Sequence, residues 1–513
     1  MSCTKRQTLE QQYPKNETLW VNWGTEPPTL DWTMANDVVS NNILLNLMEP
    51  LVNIDLTSSE LNLLPGLFTK WESDKTYKKW TFHLRQGVLW SDGQPLTIHQ
   101  VYDGLIRLLK PGLGAEGGQL LYFVTGAEDF HKGKIKNFSH VGIQVIDEQT
   151  LLFKLTQPIV FFPKVLTSVN TMPIRKDIIE KWGDTWTEPE HIVTLGPYLL
   201  KQWKHDELIV LGRNQKYFGP KAQIPFIGGR MVEDLSSATE MFTAKQIDIQ
   251  RGITPLDEAR FQKDSRLVVQ PSLAILYFNF NTKNLPFNNP VARKTIVTAI
   301  DRKQVLKVIG GFRKLNTAWL PAGLLGAIED QGLSYDPHTA QKLFNSLSQQ
   351  EQKALKRVQL ESNTNSTHSL MIQNIQAQLK KNLGIELEVK MEEWKTYLQK
   401  ISTNPVSLFR LGFISLYPDS HFLMSLWTSQ SHFNYTGWSS PKYDQLVQQA
   451  ASEVNVKKRE QLYQRAQKIL IDEAPFFNIY SATNLTLVSQ RVKNYQPNPL
   501  ERLVFKEMTL ANE

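Results

Sequence analysis

Among 513 residues there is one cysteine, Cys3. A single thiol excludes an internal disulfide framework and any metal site built from several cysteines. No stretch approaches the roughly 18 uninterrupted apolar residues of a membrane span, so no segment is expected to cross a bilayer. Charge of one sign is not concentrated: the net charge of +7 is spread along the chain, without the basic tract of a nucleic-acid groove or a polybasic membrane arm. The ten histidines lie far apart and suggest no metal cluster. Neither H-E-x-x-H nor G-x-S-x-G occurs. Gly112 to Gly117 fits G-x-G-x-x-G, but it follows Pro111 and a helix-like run rather than a strand. Gly126 to Lys134 lacks the spacing of a phosphate-binding loop, and Ile135 stands where a magnesium-binding hydroxyl is needed. No catalytic role, metal, cofactor or nucleic-acid partner is expected.

What the chain has is length and an interleaved pattern. It exceeds the size at which single cores usually stop growing, so two or three domains are expected. Its 41% hydrophobic and 21% charged residues are those of a globular protein. Strand-like and helix-like segments alternate from end to end with no repeat of fixed period, which predicts an α/β fold. Residues 18–23, 150–155, 199–203 and 207–211 read as strands, and residues 38–47 as a helix. Residues 292–309 and 367–383 have helical periodicity, Gly384 caps the second and leads straight into an alternating strand, and residues 457–470 form an amphipathic helix. Trp80, Phe82 and Leu84 alternate with Thr81, His83 and Arg85 as in a half-buried strand; Gln86-Gly87 turns toward a second short strand, Val88-Leu89-Trp90. Ser91-Asp92-Gly93 is turn chemistry, and Thr97 with Gln100 forms a capping box.

That tract, W-T-F-H-L-R-Q-G-V-L-W-S-D-G-Q-P-L-T, resembles the signature F-x-L-R-x-G-x-x-W-S-D-G-x-P-x-T of family 5 of the bacterial extracytoplasmic solute-binding proteins, the peptide-binding branch. Further matches follow in the family's order. They include Leu64-Pro65-Gly66-Leu67 with Trp71, the run from Asp147 to Leu155 with Pro158, Leu195 to Trp203, Pro286 to Arg302, and Lys381 to Tyr397. The resemblance implies a type II periplasmic-binding-protein-like α/β fold, with two lobes closing by a hinge over a solute plus an extra α/β domain. The expected organisation is a flexible tether (1–13), a discontinuous lobe I (14–43, 171–271 and 483–513), the extra domain (44–170) and lobe II (272–482). The implied function is that of the solute-binding subunit of an ATP-driven peptide importer, a monomer outside the cytoplasm. It would capture oligopeptides in an interdomain cleft and deliver them to a membrane permease. Ser2-Cys3 looks like a lipoprotein junction, so Cys3 is the expected lipid attachment and the only expected link to the membrane. Alternatives are a receptor for another solute on the same fold, such as a chelated metal or a glycan fragment, and a hydrolase using Asp419 or Glu26 with His368.

The expected ligand-binding residues come from the same resemblance. Tyr277, Trp394, Phe413 and Tyr417 stand at family ligand positions and would supply aromatic walls. The tract Arg410-Leu411-Gly412-Phe413-Ile414-Ser415-Leu416-Tyr417-Pro418-Asp419 resembles R-x-G-W-x-x-D-Y-x-x-P, whose aspartate receives the peptide's α-amino group. Leu416 occupies that place here. The family's Y-x-E-x-N is Tyr277 to Asn281, so Asn279 replaces a second acid, and Ile401 stands where a further family arginine lies. Arg410 and His368 match the cationic side that holds the ligand's carboxylate end. Either Asp419 or Glu26 takes over the amine, or the ligand has a blocked, displaced or absent amine, as in a modified or cell-wall-derived peptide.

Overall fold

A computed structural model describes residues 9–58 and 60–511, so the lipid-attachment expectation at Cys3 lies outside the described residues. The chain forms two compact units. The first comprises Met1–Ile253, Lys263–Val268 and Leu485–Glu513, the second Thr254–Gln262 and Val269–Asn484. Residues 44–170 fall within the first unit, and the short segment 254–262, read from sequence as part of lobe I, packs within the second.

In the first unit the Thr18–Asn22 strand, buried throughout, lies between two parallel neighbours, Phe226–Arg230 and Ile249–Arg251. Leu208–Arg213 and Tyr198–Lys204 extend that sheet antiparallel. A strand buried on both faces reads as a continuous apolar run, and Leu19-Trp20-Val21 is one. A separate four-stranded sheet orders Phe68–Ser73, Lys79–Leu84, Thr150–Lys154 and Ile143–Asp147. The alternation at Trp80, Phe82 and Leu84 buries those side chains there. The strand expected at Val88–Trp90 is not formed: Leu89 makes only an isolated bridge to Pro95, because Gly87 and Gly93 turn the chain at positive φ within a few residues. Thr97 and Gln100 do form a capping box at the start of the Ile98–Leu108 helix.

In the second unit the sheet runs Glu388–Glu392, Gln359–Asn363, Leu408–Ile414, then Leu267–Phe280 and Phe476–Val488, and the last two also belong in part to the first unit. One face packs Leu276, Phe278, Phe280, Leu360 and Leu408 against helices that include Pro290–Thr298, Arg302–Ile309 and Ser366–Leu383. The periodic run 292–309 is therefore two helices, since Asp301 leaves helical geometry to cap the second by accepting from Lys303 N and Gln304 N. Gly384, at φ 64°, ends the Ser366–Leu383 helix as expected. The strand beyond it starts only at Glu388, because Ile385 and Leu387 are first drawn into the core. No described helix is long and apolar enough to cross a membrane.

Candidate functional site

The second unit carries a half-buried cation, Arg410, in the middle of its Leu408–Ile414 strand. Phe278 stands opposite it on the antiparallel neighbour. Gly412 follows on the same face, and a Cβ there would sit 3.3 Å from Nη2 of Arg410. The glycine thus leaves room for the guanidinium to lie along the strand rather than reach into water. Nη1 donates to Oδ1 of Asn363 at 3.0 Å. Nε is sealed from solvent and has no acceptor. No carboxylate among the described residues pairs with it, and burial pulls its pKa below the ordinary arginine value. A desolvated guanidinium with unused donors is a seat for an anion, since carboxylates match its fork in charge and geometry.

His368 lies beside this group, at the start of the Ser366–Leu383 helix. The Asn365 side chain caps that helix, accepting from Thr367 N at 3.0 Å and His368 N at 3.2 Å. The imidazole is 8% exposed, and its Nδ1 is buried without a partner. Burial first, then the charges of Arg410 and Arg313, hold its pKa well below 6.5, against a hydrogen bond to the Asn363 backbone. The ring is therefore neutral at pH 7. Arg313 makes a bidentate pair with Glu258, at 2.8 and 3.0 Å, and lies 5.7 Å from the ring centre of Tyr480.

The remaining residues singled out from sequence differ in their surroundings. Tyr277 (2% exposed) sits among Trp319 at 4.9 Å, Trp427 at 6.0 Å and Phe476 at 6.2 Å, and Asn279, two residues on along the same face, has a buried Nδ2 without an acceptor. Phe413, Ile414 and Leu416 are half-buried at the end of the Arg410 strand, Phe413 edge-on to Phe433, and Trp394 is 44% exposed. Tyr417 is buried against Phe422. Asp419, by contrast, caps the Ser420–Ser425 helix and takes both Nη atoms of Arg459, at 2.5 and 3.0 Å. In the first unit Glu26 accepts from Trp203 Nε1, His205 Nδ1 and Asp206 N, at 2.9, 2.8 and 2.9 Å. Both carboxylates considered as replacement amine acceptors have partners inside the protein. Among the described residues no group of three or more His, Cys, Asp or Glu is placed to hold a metal ion.

Residues 62–435 match the sequence model of the bacterial extracellular solute-binding proteins, family 5 Middle. The chain belongs to that family. This solute-binding protein is 28% identical over 493 residues to the oligopeptide-binding protein OppA of Bacillus subtilis strain 168, covering 93% of this chain and 89% of the relative. It is 27% identical over 492 residues to the periplasmic murein peptide-binding protein MppA of Escherichia coli K12, covering 94% and 90%. Its fold is that of the type II periplasmic binding proteins. The solved murein tripeptide binding protein MppA of Escherichia coli superposes with a TM-score of 0.89 at 26% identity, over 97% of this chain and 99% of that one. Haemophilus influenzae OppA, solved in complex with RPPGFSPFR, does so with a TM-score of 0.87 at 25% identity, over 98% and 100%.

Three residues of the Arg410 cluster in this solute-binding protein were not found from sequence: Asn363, Arg313 and Tyr480. Arg313 follows Gly310-Gly311, and the pair of glycines was a local signal that the backbone comes close to something there. Ile401, on the Trp394–Thr403 helix, is fully buried, so the apolar residue at that position is part of the core.

Proposed function

We propose that this chain is the solute-binding subunit of an ATP-driven importer, capturing oligopeptides or peptide-like solutes and delivering them to a membrane permease. The observation that carries the reading is Arg410, a half-buried guanidinium whose Nε has no acceptor and which no described carboxylate neutralises, in a chain of this family. A peptide's terminal carboxylate is the simplest group to complete it, with Asn363 holding the guanidinium and neutral His368 at its side. The half-buried Phe413, Ile414 and Leu416, with exposed Trp394, offer apolar area beyond the seat.

The ligand has a blocked, displaced or absent α-amine. Supporting this are Leu416 in place of an acid, Asn279 in place of another, and the engagement of Asp419 by Arg459 and of Glu26 by Trp203 and His205. We assign the protein, as a monomer, to the outer side of the cytoplasmic membrane, held there by acyl chains on Cys3. Residues 44–170 are the extra domain, and 272–482 the lobe that carries the carboxylate seat. Denaturing the purified protein and identifying released small molecules by mass spectrometry tests this. Peptides or peptide derivatives with a free carboxylate are the expected cargo. Recovery of solutes with no carboxylate would overturn the reading.

A further inference from the structure

The proposed function gives no role to the Arg313–Glu258 pair, yet the fold makes specific room for it. Glu258 is 2% exposed and belongs to the Pro255–Phe261 helix, whose segment packs in the second unit although the chain on either side belongs to the first. Its two oxygens take Nη1 and Nη2 of Arg313, and Arg313 Nη1 also donates to the Gly310 carbonyl at 3.0 Å. The pair occupies the space a side chain at position 311 would need: a Cβ on Gly311 would lie 1.5 Å from Oε2 of Glu258 and 2.6 Å from Nη1 of Arg313. The φ of 81° at Gly311 adds a second reason for glycine.

Arg313 lies over Tyr480, which packs in one core cluster with Leu276 and Phe278, the residues opposite Gly412 and Arg410. The strand neighbour of Tyr480 is Leu315, and the charge of Arg313 is felt by His368 together with that of Arg410. Three cationic or protonatable groups thus share one buried region. Burial keeps His368 neutral, Glu258 cancels Arg313, and one net positive charge remains, that of Arg410. In a desolvated region each uncompensated charge is costly, so the number left open sets the number of ligand charges accepted.

We propose that Glu258 is a specificity-determining residue that limits the seat to ligands bringing a single carboxylate, by neutralising Arg313, the second guanidinium of this buried region. This rests on the reading that Arg410 receives the ligand's terminal carboxylate. Freed from Glu258, Arg313 becomes a second open cation in the same buried region as the first. Ligands with an additional acid at their carboxyl end are then favoured.

The test is calorimetric titration of the whole protein with three probes: N-acetyl-trialanine, its C-terminal amide, and N-acetyl-Ala-Ala-Asp. Wild type is expected to prefer N-acetyl-trialanine to the amide. Glu258→Gln is expected to shift the ratio of affinities toward N-acetyl-Ala-Ala-Asp by about tenfold or more, the scale of a buried charge-pair coupling. The double variant Glu258→Gln with Arg313→Gln is expected to restore the wild-type ratio, and thermal melts establish that each variant is folded. A folded Glu258→Gln with an unchanged ratio overturns the inference while leaving the carboxylate reading intact, as does a double variant that keeps the shifted ratio. If Glu258→Gln does not fold, the decision passes to Arg313→Lys: the shorter reach of a lysine to Glu258 is expected to raise the Asp-peptide ratio, and no rise overturns the inference. Equal affinity of wild type for acid and amide, or no binding of any probe, overturns both.

Discussion

Arg410 has opposite consequences for stability and for binding. Without ligand its charge is desolvated and its Nε unsatisfied, which costs folding free energy. Under the proposed function, a bound carboxylate gives the same charge a partner. Replacing it with methionine, of similar length but no charge, is therefore expected to raise the thermal midpoint of the empty protein. Affinity for carboxylate-bearing peptides should fall by about 2–5 kcal/mol, the usual loss when one partner of a buried charge pair is removed. Differential scanning fluorimetry without ligand and titration with the natural cargo would read the two effects separately. A drop in both would assign Arg410 to the scaffold instead.

At the scale of elements, the start of the Ser420–Ser425 helix ties several segments together. Asp419 caps it, grips Arg459 on the Val456–Glu473 helix, and lies beside His421, whose ring burial pushes down to about 4. The folded state refuses a proton that the unfolded chain binds near 6.5. His421 therefore costs nothing above that pH, a growing amount as the pH falls toward 4, and a constant amount below. At pH 5 the loss from this ring is about 2 kcal/mol, and His368 is shifted in the same direction. His205, raised chiefly by its hydrogen bond to Glu26, acts oppositely: its stabilisation is complete below the ordinary histidine value and is lost as pH rises through its folded one. Its side chain is more than half exposed, so the buried rings dominate. Urea unfolding is expected to give lower stability at pH 5 than at pH 7, and His421→Phe to flatten that difference.

Elements announced by local chemistry were legible in the sequence: the capping box at Thr97, the left-handed Gly384, and the alternation from Trp80 to Leu84. Elements decided by distant partners were not. Val88 to Trp90 has strand-like residues but lacks a long enough neighbour, and the run 292–309 is divided because Asp301 satisfies backbone donors better as a cap. The seat was half legible. Arg410 and His368 stand in motifs, whereas Glu258 and Arg313 are 55 positions apart and share no local pattern. Asp419 and Glu26 were visible as acids, but sequence could not show which cations and donors surround them.

For the molecule as a whole, division of the chain into two compact units implies that unfolding is not a single two-state event. Scanning calorimetry is expected to resolve at least two transitions. Cargo at a hundred times its dissociation constant should add about 2.7 kcal/mol to the unit that holds the seat. A single transition whose calorimetric and van't Hoff enthalpies agree would contradict this.

The first unit is closed by residues 491–505. Asn46 donates to the Leu503 carbonyl and accepts from Phe505 N, Asn42 accepts from Leu503 N, and the Arg491 side chain donates to the carbonyls of Lys15 and Thr18. Residues 15–46 and 491–505 thus complete one another across more than 450 positions of chain. A fragment holding only the first of these segments would leave Asn42, Asn46 and the Lys15 and Thr18 carbonyls without these partners, so the first unit is not an autonomous product of its amino-terminal residues.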